Sequence, residues 1–302
     1  MLRIATLATL GTFHERRGEQ SLLTPGDNFS AAWGRVLGQD IKQEWSGTVD
    51  PSINGSIWGG QIGLDLLRRD SGNGHRDTAG LFFGYSTINA NVKGQALGWN
   101  DLAVGSTDAD VTSLGGYWTH MGPSSWYVDS VLLGSWFNGN AQSHRSIGVD
   151  TDGSGITASL EGGYPIAVTE SWTLEPQAQL IYQHISINDQ NDGFATVDFD
   201  TDDGWTGRVG LRLAGNLQTS IGSMQPYLKA NLWHAFDGTD SIDFGSDVIS
   251  TDFGGTSMEL GGGIVATISK DVSLFATADY TFEVEGAKQQ VVEGNVGLRV
   301  QW

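Results

Sequence analysis

Residues 172–184, WTLEPQAQLIYQH, decide the fold. Trp172, Leu174, Pro176, Ala178, Leu180 and Tyr182 alternate with Thr173, Glu175, Gln177, Gln179 and Gln183. A β-strand sends successive side chains to opposite faces, so this spacing makes one apolar and one polar face. The split recurs in 156–164, where Ile156, Ala158, Leu160, Gly162 and Tyr164 oppose Thr157, Ser159, Glu161 and Gly163. It recurs in 205–213, where Trp205, Gly207, Val209, Leu211 and Leu213 oppose Thr206, Arg208, Gly210 and Arg212. Segments 258–267 and 272–281 repeat it, and in the last residues Val296, Leu298, Val300 and Trp302 oppose Asn295, Gly297, Arg299 and Gln301. Each segment is about long enough to cross a hydrocarbon layer when tilted.

With the less regular segments included, about twelve strands begin near Phe29, Ser56, Ala79, Asp110, Trp126, Gly155, Trp172, Trp205, Gln225, Ser257, Val272 and Val291. An even number suits a closed antiparallel barrel. The breaks after even-numbered strands are short: MGPSS at 121–125, AVTES at 167–171 and SKD at 269–271. Those after odd-numbered strands are long, roughly 40–54, 89–109, 138–153, 187–203 and 237–254. Short turns on one rim and long loops on the other mark a bacterial outer-membrane barrel, with the short turns periplasmic.

Composition agrees. The 302 residues include 43 glycines, 11 tryptophans and no cysteine, which excludes disulfides and thiolate metal sites. With 16 basic and 35 acidic side chains the net charge is -19, a poor match for nucleic acid. No run of 18 apolar residues exists, so membrane helices are excluded and a closed barrel is the remaining way to span a bilayer.

The polar strand faces carry Arg35, Asp65, Glu161, Glu175, Arg208, Arg212, Lys229, Glu259, Asp279 and Arg299. Burying so many ionisable groups in a dry sandwich would require a partner for almost every one, whereas a hydrated pore removes that cost. These ten are read as pore-lining. Trp126, Trp136, Trp172, Tyr182, Trp205, Tyr280 and Trp302 fall near strand ends, as an interfacial aromatic girdle requires. Glycines within strands, such as Gly63, Gly115 and Gly163, point to close approach of a plug or to wall curvature.

The first 20 residues, MLRIATLATLGTFHERRGEQ, differ from the rest. Leu2, Ile4, Leu7, Ala8 and Leu10 suit one helical face, and Gly18 and Pro25 punctuate its end. A signal peptide is the competing reading, but no small-x-small cleavage pair follows. The expected plug helix presents Leu7, Leu10, Glu15, Arg16 and Arg17, with the charged residues meeting lumenal charges of opposite sign. The expected architecture is thus all-β and transmembrane: a closed antiparallel barrel of about 12 strands over 28–302, with an N-terminal α-helix inside the pore and its linker over 1–27.

A series of segments carries a resemblance: AAWGRVLG (31–38), GGQIGLDLL (59–67), YVDSVLLGSW (127–136), ASLEGGYP (158–165), LEPQAQLIY (174–182), GRVGLRL (207–213), QPYLKANLWH (225–234), MELGGGI (258–264) and GNVGLRVQW (294–302). Together they resemble the C-terminal translocator domain of autotransporters, the type V secretion proteins of Gram-negative bacteria. The resemblance implies a barrel in the outer membrane that exports an N-terminal passenger, absent from this chain, to the cell surface and is then plugged by its own helix. It implies Leu298, Val300 and Trp302 as the signal read by the barrel-assembly machinery. It also implies contact with outer-membrane lipid and lipopolysaccharide, a monomeric state, and no cofactor or metal. One subgroup of the family cuts its passenger inside the barrel at an Asn-Asn junction. No Asn precedes Asn28 and Asn-Asn occurs nowhere, so that cleavage is not expected.

No G-x-S-x-G, H-E-x-x-H or G-x-x-x-x-G-K-[ST] motif occurs. DFDTDDG (198–204) starts like a calcium loop, but its Gly is one position late and Val209 stands where a bidentate Glu belongs, so it reads as an acidic exposed loop. The alternatives are an outer-membrane phospholipase or protease and a plain diffusion porin. His184 and Ser186 share a face, yet two apart on a strand they point in parallel, which is poor geometry for a nucleophile and its base.

Overall fold

The computed structural model describes residues 1–18, 31–71, 73–219, 222–269 and 271–302. Twelve long strands follow one another: β1 (Ala31–Glu44), β2 (Ser52–Asp70), β3 (Arg76–Ala96), β4 (Trp99–Met121), β5 (Tyr127–Ser143), β6 (Gly153–Gly163), β7 (Trp172–Ile187), β8 (Gly204–Gly215), β9 (Gly222–Phe244), β10 (Asp247–Ser269), β11 (Val272–Gly286) and β12 (Lys288–Gln301). Each pairs antiparallel with the next, and β1 pairs with β12 from Ala31↔Gln301 to Glu44↔Lys288. The sheet closes on itself, so through the membrane the wall presents no open strand edge whose amides would lack partners.

All twelve expected strands are present, but several run further than their alternation. β4 begins at Trp99 rather than near Asp110, and β10 at Asp247 rather than near Ser257. The breaks expected at 89–109 and 237–254 shrink to two-residue turns at 97–98 and 245–246. In the first, Leu97 (φ 54°) and Gly98 (φ 79°) both take the left-handed region, as a tight hairpin of the primed type demands. The acidic run at 198–203 likewise belongs partly to a strand, Thr196–Asp200, which pairs with β9 and sets Asp198 opposite Asp243. Period-two hydropathy records a difference in burial between two faces. Above the membrane both faces are wet, the difference vanishes, and pairing continues without it.

Outward positions form an exposed apolar belt: Ile62 and Leu64 on β2, Leu114 and Trp118 on β4, Leu132 and Trp136 on β5, Val209 and Leu211 on β8, Val296 and Leu298 on β12. So continuous an apolar surface requires hydrocarbon around it. Several strand glycines have a different cause from either one expected. Trp33 lies over Gly63, Phe82 over Gly115 and Tyr127 over Gly163. The missing Cβ leaves room for an aromatic ring from the adjacent strand, and direct approach by the helix is confined to places such as Gly84, beside Thr9.

The N-terminal segment lies inside the barrel as two helices rather than one. α1 (Leu2–Leu10) ends at Gly11, whose φ of 59° breaks the helix. α2 (Phe13–Arg17) restarts at Thr12 with a capping box, in which the Thr12 side chain accepts from the Glu15 amide and the Glu15 carboxylate accepts from the Thr12 amide. The sequence signal, Thr12-x-x-Glu15 directly after a glycine, was legible but masked by the apolar stripe. The expected linker after Gly18 and the start of β1 near Phe29 fall at 19–30, outside the described residues.

Candidate functional site

The lumen and the segment it holds form the site. All ten side chains expected to line the pore point inward and are largely shielded from solvent. Each meets a partner on the wall or on the helix. Glu161 accepts from the Phe13 amide at 2.9 Å and the Tyr127 hydroxyl at 2.7 Å, and pairs with Arg208 at 3.0 Å. Arg208 also donates to Gln177, Gln179 and Asn231. Glu175 meets His14 Nε2 at 2.7 Å, and Arg299 meets Asp65 at 2.5 Å. Arg212 lies 4.3 Å from the Tyr227 ring centre.

Lys229 is the centre of a carboxylate group. Its Nζ contacts Glu15 of the helix, Glu259 at 2.9 Å and Asp279 at 3.1 Å. Arg35 performs a different task. It donates to the carbonyls of Ala8 (3.0 Å) and Thr9 (2.8 Å), and Gln61 donates to Thr9 O at 2.6 Å. Those carbonyls close α1 and have no helical partner, so a guanidinium there satisfies them and complements the negative end of the helix dipole.

The expected plug residues take distinct roles. Arg16, 1% exposed, pairs with Asp129 at 2.5 Å and faces the Tyr117 ring, while Glu15 reaches Lys229. Leu10 is buried with Trp33, Phe82, Tyr117, Val131, Leu133 and Ile181, and Leu7 packs against the same group. Arg17 is in α2, and its side chain lies outside the described residues. At the other end of α1, Arg3 pairs with Asp240 at 2.8 Å and lies 4.5 Å from the Phe253 ring centre. The segment therefore runs from the long-hairpin rim at Arg3 towards the short-turn rim, close to which Tyr127 stacks on Phe13 with ring centres 4.3 Å apart. A cavity of about 250 Å³ remains beside it, between Leu7, Trp45, Trp233, Phe253 and Glu293.

Sequence reasoning missed the apolar half of the inner wall. Leu37, Ile41, Ile53, Ile57, Ile88, Val111 and Phe137 face inward with Ala5 and Ala8 of the helix. The available signal was the break in the polar face of β7, where Ile181 interrupts a run of Gln and Glu. Such interruptions mark where an apolar helix docks. Asp129 was missed because 126–137 alternates poorly.

The expected assembly residues Leu298, on the outward face of β12, and Trp302, just past its end, are exposed, and Val300 shares the face of Leu298 half-buried. His184 also points outward. It holds Asp203 at 2.8 Å, on the rim opposite the short turns, away from the lumen.

The fold matches solved structures of known kind. The transport unit of the autotransporter AIDA-I from Escherichia coli superposes with a TM-score of 0.83 at 17% identity, covering 99% of this chain and 97% of that one. In sequence, the chain is 29% identical over 289 residues to the adhesin BmaC autotransporter of Brucella suis, which covers 89% of this chain and 8% of the relative. It is 27% identical over 264 residues to the pertactin autotransporter of Bordetella bronchiseptica, 83% of this chain and 26% of the relative. The chain thus spans about a quarter or less of the length of these curated relatives. The sequence model of the autotransporter β-domain matches residues 32–279, most of the barrel. By this match, the closed twelve-stranded wall and the helix in its lumen, the chain belongs to the autotransporter β-domain family, the outer-membrane translocators of Gram-negative bacteria.

Proposed function

We propose that this domain carries an N-terminal passenger across the outer membrane to the cell surface and is then sealed by residues 1–18. The observation that carries the reading is the threading of α1 and α2 through the lumen, with Arg3 at the long-hairpin rim and α2 towards the periplasmic one. A diffusion porin would keep a wet, open lumen, and here α1 and α2 occupy it, packed against and paired to the wall. In planar bilayers, the chain lacking residues 1–18 should conduct severalfold better than the intact chain; equal conductance would remove the seal from the reading.

The domain performs no catalysis of its own in this proposal. His184, which pairs with Asp203, stands two residues from Ser186 on a strand whose alternate side chains are parallel. His184→Ala should leave any lipid or peptide hydrolysis at background, unchanged from the parent. Leu298, Val300 and Trp302 present the alternating apolar edge that assembly machinery would add to a growing sheet. The apolar belt meets lipid and lipopolysaccharide, and the barrel works as a monomer.

A further inference from the structure

At the periplasmic rim, away from the lumen, two histidines converge. We propose that His75 and His120 form a binding site for a borderline divalent transition-metal ion of the copper or zinc type, with Asp77 orienting His120. His75 Nδ1 lies 3.0 Å from His120 Nε2. Two imidazole nitrogens on one tetrahedral metal at 2.0–2.1 Å stand about 3.3 Å apart, so accepting an ion asks for an opening of only about 0.3 Å.

The remaining features are those of a ligand pair and not of two rings in chance contact. His120 and Asp77 are direct cross-strand partners on β4 and β3, and His120 Nδ1 donates to Asp77 Oδ1 at 2.8 Å. That bond fixes the tautomer that leaves the Nε2 lone pair facing His75, the same carboxylate–histidine arrangement that supports metal-bound imidazoles. His75 comes from the 71–75 turn, which is closed by Ser71 N–H to His75 O at 2.7 Å and Gly74 N–H to Ser71 O at 3.0 Å. Binding exchanges the tautomer of His75: the proton that Nδ1 shares with His120 Nε2 passes by way of solvent to His75 Nε2, so both rings stay neutral and each offers a lone pair to the ion. Among the described residues no third His, Asp or Glu completes the set, so water supplies the remaining positions. Imidazole pairs of this kind favour copper over zinc by the usual divalent order.

Trp126, on the neighbouring turn, reports on the site, with its ring centre 5.3 Å from His120 and 6.1 Å from His75. The test uses the whole chain refolded in detergent and titrated with Cu²⁺, followed by calorimetry, Trp emission and electron paramagnetic resonance. One tight Cu²⁺ per barrel is expected, with hyperfine splitting from two nitrogens and partial quenching of Trp emission. His75→Gln and His120→Gln should each weaken binding tenfold or more and reduce the splitting to one nitrogen. Asp77→Asn should weaken it by about tenfold with both nitrogens kept, and His184→Gln and His234→Gln should leave it unchanged. The heat-sensitive gel mobility of each variant checks that the barrel has closed. Binding that survives both His75→Gln and His120→Gln in closed barrels, or a spectrum without paired nitrogens, would overturn the proposal.

Discussion

Asp129→Ala tests how the seal is held. The Arg16 guanidinium is 1% exposed, and Asp129 at 2.5 Å is the carboxylate it meets. Its other neighbours, the Leu10 carbonyl at 3.5 Å and the Tyr117 ring centre at 5.6 Å, cannot neutralise a full charge. Removing one partner of a buried pair costs about 3–5 kcal/mol, because the other charge stays desolvated. The folded wall does not need Arg16, so this cost is relieved if α2 leaves the lumen. At the low end, about 3 kcal/mol corresponds to a factor of about 150 in the closed-to-open equilibrium. Single-channel recordings in planar bilayers should show open probability rising by about that factor. Arg16→Met with Asp129→Leu, which replaces the pair by apolar groups of similar size, should return most of the closed state. An Asp129→Ala open probability within threefold of the parent would refute the reasoning.

Two further outcomes are expected. Leu97→Asn should stabilise the β3–β4 hairpin by about 1 kcal/mol, since Asn tolerates the left-handed φ of 54° that Leu97 is forced to adopt; a urea midpoint that is unchanged or lower would count against it. At the rim, hydrogen bonds from His184 and then from the Tyr182 hydroxyl hold Asp203 below the usual carboxylate range. Its contribution is therefore present above the unfolded value near 3.9 and is lost as pH falls through the lower folded value. His184→Gln should raise the Asp203 midpoint towards that unfolded value, read by carboxyl carbon NMR, and an unmoved midpoint would show that the His184 bond is not the cause.

The wall was legible wherever one face of a strand met hydrocarbon and the other water, as in 172–184. Where both faces are wet, as at 99–109 and 247–254, the chain carries no alternation and the strands were read as loops. The ten lumenal charges were readable because they alternate with apolar residues on strands whose other face meets hydrocarbon, which leaves only the lumen for them. Their partners were not, since Lys229 meets Glu15 across 214 residues and only the closed wall sets that distance. The break at Gly11 was hidden by the apolar stripe that made residues 2–10 look like part of one helix.

The uneven inner wall has a consequence for wetting. On their long-hairpin halves β1 to β5 present Ile, Leu, Val and Phe to α1, whereas β8 to β12 present mostly Arg, Lys, Glu, Gln and Asn. Once the helix departs, water will avoid the first sector and fill the second, because a narrow apolar surface dries spontaneously. Ions should then file along one side of the pore. A polypeptide in transit would meet hydrogen-bonding groups on that side and a surface that cannot grip its backbone on the other.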